Sequence, residues 1–183
     1  VGSELGSAVV LITGVMAAGK STVAELLAGQ LPRAAHVRGD VFRRMVVSGR
    51  EELLPEETAE ARAQLELRYR LSALVADEYA DHGWTAVVQD IVLGEDLDGY
   101  VARVRTRPLY VVVLTPSTAT VQSREARRPK AGYGAAWTVD ALDRTLREET
   151  PRIGLWLDTS EQTPVQTVSS ILDNLSAARV QAD

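Results

Sequence analysis

The stretch "GVMAAGKST", Gly14 to Thr22, constrains the fold more than any other part of the chain. An apolar run, Ala8 to Val15, leads into it. A helix-forming segment, Lys20 to Leu31, leads out of it and stops before Pro32. A short apolar run bounded by glycines reads as a buried strand. A strand that turns through glycines into a helix points successive backbone N–H groups inward, with the positive helix end behind them, and so forms a cradle for phosphate oxygens. The spacing matches G-x-x-x-x-G-K-[ST] in full at Gly14, Gly19, Lys20 and Ser21. In such a loop the backbone of Ala17, Ala18, Gly19 and Thr22 faces phosphate, Lys20 reaches the β- and γ-phosphates, and the Ser21 hydroxyl meets Mg²⁺. A glycine-rich turn that binds nothing has the same composition. The strand before and the helix after favour the phosphate reading.

The rest of the chain alternates in the same way. Ala34 to Gly39, Thr85 to Val92, Leu109 to Pro116 and Gly154 to Ser160 read as further strands. Between them, Asp40 opens a short helix, and "PEET" at Pro55 to Thr58 starts a long one with an acidic first turn. Leu67, Leu71, Leu74, Val75 and Glu78 share one mostly apolar face of that long helix, and Gly83 is its stop signal. Helices are also expected over Glu95 to Arg105, through "SREARRPK", over Thr138 to Glu149 and over Pro164 to Leu175. Strands alternating with helices imply an α/β fold, a parallel sheet covered on both faces. No repeat, low-complexity tract or linker divides the 183 residues, so one domain over 1–183 is expected.

Composition narrows the function. There is no cysteine, hence no disulfide, thiolate nucleophile or thiolate metal site. Two histidines, His36 and His82, argue against a multi-histidine metal centre. No apolar run approaches the ~20 residues of a membrane span, and "VGSELGSAVVLITG" reads as the first strand, not as a signal peptide. A cytoplasmic protein without a membrane or nucleic-acid partner is the expectation, the latter because the net charge is −5. No N-K-x-D guanine-reading motif is present, which turns attention from switch GTPases to small kinases.

In a doubly wound sheet, strand C-terminal ends converge on one crevice. "RGDVFRR" puts Asp40 at such an end, placed to take a hydroxyl proton or orient that hydroxyl, though an N-cap is the plainer role. Arg43 follows on the same side and can hold the acceptor or the transferring phosphoryl group. "TAVVQDIV" puts Asp90 at the next strand end, where a carboxylate holds Mg²⁺, serves as the base instead of Asp40, or pairs with an arginine as a structural acid. In "SREARRPKAGYG", Arg124, Arg127 and Arg128 recur at helical spacing before two glycines. That suits a lid over about 124–137 whose arginines close on phosphates, with Tyr133 the aromatic nearest a ligand; a solvated basic helix end is the alternative. The acceptor-binding segment is then about 40–80, and its acid-rich 51–70 stretch suits an uncharged or cationic molecule.

These residues resemble the small P-loop kinases related to nucleoside monophosphate kinases, and within them the chloramphenicol phosphotransferase-like group, on "GVMAAGKST", "RGDVFRR", Asp90 and the "SREARRPK" lid. The resemblance implies a five-stranded sheet of order 2-3-1-4-5, ATP as donor with Mg²⁺, Asp40 as base, and adenine near the lid and "DTSEQT" after the last strand. It implies transfer to a small-molecule hydroxyl, an antibiotic or related natural product. Relatives of the same group leave open a sugar-nucleotide or polynucleotide 5′-hydroxyl kinase, or a nucleotide-binding regulatory or toxin-type module. The catalytic set is then Lys20, Asp40, Arg43, Arg124 and Arg128; Arg124 and Arg127 join the loop in holding the nucleotide, and Ser21 and Asp90 hold the metal. The D-G-x-P-R stretch of adenylate kinases is absent, with "QDIVLG" in its place.

Overall fold

The computed structural model describes residues 5–127 and 137–181. Five parallel strands form one sheet in the order β2-β3-β1-β4-β5, the order implied by the resemblance. They are β1 (Val9–Gly14), β2 (Ala34–Arg38), β3 (Thr85–Gln89), β4 (Leu109–Leu114) and β5 (Leu155–Leu157). Every residue of β1, β3 and β4 is buried, on both faces of the pleat. That is why "VVLITG", "TAVVQ" and "LYVVVL" do not alternate: helices cover both faces. Helix α1 (Lys20–Gln30) packs on β3 and on α7 (Pro164–Asp173). Helices α2 (Gly39–Met45), α3 (Ala59–Asp81) and α4 (Asp96–Arg103) contact one another in series, α3 also lying on β3 and β2. Then come α5 (Thr118–Ala126), α6 (Val139–Arg144), a π-helical turn at Thr145–Glu149, and finally α8 (Leu175–Ala178).

The long helix differs from its sequence reading in two respects. It starts at Ala59, because Thr58 is its N-cap and accepts the Ala61 N–H; Pro55–Glu57 precede it. Its buried face is Tyr69, Ser72, Ala73, Ala76, Asp77 and Ala80, whereas Leu67 and Leu74 are 42% and 54% exposed. The small side chains of Ala73, Ala76 and Ala80 let the helix lie close on the sheet. The two polar residues in that face are fully partnered. Asp77 accepts from the Arg105 and Thr106 amides and the Thr106 hydroxyl. Ser72 bonds the Tyr69 carbonyl and the Tyr100 hydroxyl. A hydrophobicity pattern ranks leucine above alanine and so selected the neighbouring face. The last strand is also shorter than expected, because Asp158 caps a turn by accepting the Ser160 amide and hydroxyl.

Candidate active site

The glycine loop runs from the end of β1 to α1 and sits where the C-terminal ends of the strands open. A side chain at Gly14 would come within 2.6 Å of the Leu114 carbonyl, so this close approach to β4 admits only glycine. Ala17 and Gly19 take positive φ, 61° and 99°, and turn the backbone into the helix. Gly19 is the N-cap of α1 and supplies no side-chain cap, which leaves the first-turn N–H groups and the positive helix end for a ligand. Lys20 is the first helical residue. Only 8% exposed, it curls back so that Nζ donates to the Val15 carbonyl at 2.7 Å.

An open cavity of about 460 Å³ lies over this loop. Of the residues singled out in the sequence, Ala17, Gly19, Lys20, Ser21, Thr22, Asp40, Asp90 and Arg124 line it. Gly14 and Ala18 shape the loop beneath. Arg124, in the last turn of α5, donates to the Ala18 carbonyl at 3.1 Å and the Thr159 carbonyl at 2.8 Å, and burial lowers its pKa. It thereby ties the phosphate loop to the segment after β5. Arg127 does not share this position: it is the exposed C-cap of α5 and does not line the cavity. Arg128, Lys130 and Tyr133, with most of the expected lid, lie outside the described residues. Arg43 also does not line the cavity. It pairs with Glu52 and faces a neighbouring groove between α2 and α3.

The two acids differ sharply in their commitments. Asp90 is 2% exposed. Arg68, reaching in from α3, engages both of its oxygens, with Nε to Oδ2 at 2.8 Å, and the Ile91 amide donates to Oδ1 at 2.7 Å. A Cβ on Gly39 would overlap this carboxylate, so the glycine of "RGD" makes room for it. Asp40 uses one oxygen, Oδ2, for Arg44 at 3.0 Å, while its buried Oδ1 has no hydrogen-bond partner. Ser21 donates to Gln89 Oε1 at 3.2 Å. Arg68 and Gln89 were not singled out in the sequence. Gln89 had a signal, being the neighbour of Asp90 at the strand end. Arg68 had none, because α3 carries arginines on several sides.

Burial pulls the Arg68 guanidinium below its ordinary pKa, yet arginine stays protonated at any working pH, so the Arg68–Asp90 contact is a buried ion pair. Removing one member strands the other charge. Arg68→Met is expected to cost about 3 kcal/mol, lowering the melting temperature by about 6–12 °C. The double variant Arg68→Met/Asp90→Leu should recover more than half of that loss. An unchanged melting temperature in Arg68→Met would show that Asp90 does not depend on this arginine.

A family model described as an AAA domain matches residues 9–151. The chain belongs to the AAA_33 family. Solved structures share its whole fold. An unliganded sugar kinase from Janibacter sp. HTCC2649 is 22% identical, with 93% of this chain and 95% of that one covered and a TM-score of 0.67. The tunicamycin resistance protein of Deinococcus radiodurans is 15% identical over 95% and 98%, at 0.66. The APS kinase of Mycobacterium tuberculosis, in complex with AMPPNP and APS, is 22% identical over 92% and 96%, at 0.63. No curated protein matches the sequence. At these identities the AAA_33 chain shares the P-loop kinase-like fold of these proteins, and its site has to be read from its own residues.

Proposed function

We propose that the protein is an ATP- and Mg²⁺-dependent kinase that moves the γ-phosphoryl group to a hydroxyl of a small molecule, an antibiotic or related natural product. The observation that carries this reading is Asp40: a carboxylate with an uncommitted oxygen on the same cavity as a complete phosphate loop. The kinase neighbours and the tunicamycin resistance protein support it by analogy of fold.

In the proposed reaction the loop amides and Lys20 hold the donor phosphates, and Arg124 braces the loop. The acceptor oxygen attacks the γ-phosphorus in line. A new O–P bond forms as the bond to the β–γ bridging oxygen breaks, and ADP leaves with that electron pair. The hydroxyl proton passes to Asp40 and from there to solvent. Mg²⁺ fits as an ion that arrives with the nucleotide: the neighbouring oxygens of Ser21 and Gln89 are hard, neutral ligands, which suits a metal that keeps waters and phosphate oxygens around it. Ser21 would hold it, and it would offset charge on the phosphates. Asp90, in this reading, acts by holding Arg68 in the lining of the cavity. The proposed acceptor is a small alcohol and not a nucleic acid.

The test is ADP release from ATP and Mg²⁺ across a panel of hydroxylated natural products. Acceptor-dependent release is expected, with a background of slow hydrolysis. Release that no acceptor changes would favour a hydrolytic or nucleotide-sensing module instead.

A further inference from the structure

Beside the phosphate cavity lies a second, smaller one of about 200 Å³, between α2, residues 46–58 and α3. Arg68 lines both, so one side chain forms a wall that the two share. The wall is largely apolar: Phe42, Leu53, Leu65 and Leu71, with Met45 at the rim 65% exposed. Phe42 stands two residues after Asp40 on the same short helix.

The polar side chains of this groove are already satisfied by the protein. Arg43 is paired with Glu52, and Arg68 with Asp90. Glu51 accepts from Thr58. Gln64 donates to the Gly49 and Glu60 oxygens and accepts the Glu51 amide. An anionic or highly hydroxylated molecule would have to displace these partners and would gain no unpaired cation in exchange. An apolar group would displace only water. A cavity of about 150 Å³ already suffices for benzene, so this groove has room for one ring or a branched aliphatic group.

We infer that the acceptor is an uncharged alcohol with an apolar body, seated in the groove of Phe42, Leu53, Leu65 and Leu71, its hydroxyl directed past Arg68 to Asp40. This rests on the phosphotransferase reading above and narrows its substrate class, setting the site apart from one for sugar acids or phosphorylated acceptors. Two leucines of α3 outside the core then have a use: Leu71 is a wall of the site and Leu67 its edge.

The test is amide chemical-shift mapping of the full chain with Mg²⁺–AMPPNP, titrated with 2-phenylethanol, gluconate or glycerol. Saturable shifts at Phe42, Leu65 and Leu71 are expected with 2-phenylethanol only. Leu71→Gln and Leu65→Gln, two variants on different turns, should each weaken its binding about tenfold, the scale of part of a buried side-chain contact, at unchanged AMPPNP affinity. Gluconate or glycerol shifting those residues at lower concentration would overturn the inference, as would 2-phenylethanol giving no saturable shift or binding both variants as well as the parent. Failure of AMPPNP to bind would instead overturn the phosphotransferase reading itself. Retained nucleotide affinity also reports that each variant is folded.

Discussion

Replacing Lys20 with methionine is expected to lower turnover by at least about a hundredfold, the scale of losing one preorganised electrostatic donor. The side chain is almost buried and lies against the loop, its ammonium held 2.7 Å from the Val15 carbonyl. Methionine keeps the length and most of the packing but brings no charge. Negative charge builds up on the β–γ bridging oxygen as ADP departs, so the loss should fall mainly on kcat and less on the KM for ATP. Loss of the bond to Val15 should cost only about 1 kcal/mol of stability, which a melting curve separates from the catalytic effect. Near-parental turnover in a folded Lys20→Met variant would remove the phosphate loop from the chemistry.

Asp40→Asn is expected to reduce kcat by about a hundredfold or more, the lower range for losing a positioned general base. The amide has the same shape but takes up no proton. The Arg44 pair it disturbs is an exposed i, i+4 contact, worth at most about 0.5 kcal/mol, so the fold and nucleotide affinity should hold. Asp90→Asn is the control. With both oxygens committed to Arg68 and the Ile91 amide, it should lose stability, and its activity should not recover at high Mg²⁺. Full transfer by Asp40→Asn, together with recovery of Asp90→Asn at high Mg²⁺, would assign the base elsewhere and place Asp90 at the metal.

The phosphate loop was legible because its chemistry is written in contiguous residues: a buried strand, two glycines, Lys20 and Ser21, then a helix. The sheet was legible because three strands buried on both faces leave unbroken apolar runs. What was not legible depends on which side of a helix faces which strand. Arg68 meets Asp90 only because the order β2-β3-β1 brings the end of β3 beneath α3, and nothing in "LELRYR" distinguishes it from Arg70. The spacing puts Arg43 on the side of Asp40, yet it pairs with Glu52, nine residues on, and lines the groove between α2 and α3. Helical spacing groups Arg124 and Arg127 with Arg128. The helix ends at Ala126, and of the first two Arg124 reaches the loop while Arg127 caps the helix end; Arg128, the third of the group, lies outside the described residues.

Phosphoryl transfer itself is tested most directly by following the γ-phosphate of ATP labelled at that position. The protein is incubated with Mg²⁺ and, in turn, the acceptor found in the natural-product panel, a 5′-hydroxyl oligonucleotide, and no acceptor. The label is expected on the oxygen of the small alcohol, in amounts equal to the ADP formed above the acceptor-free rate, with no label on the oligonucleotide. Label recovered only as inorganic phosphate, at the same rate in all three mixtures, or transferred efficiently and in a salt-sensitive manner to the oligonucleotide, would contradict a small-molecule kinase.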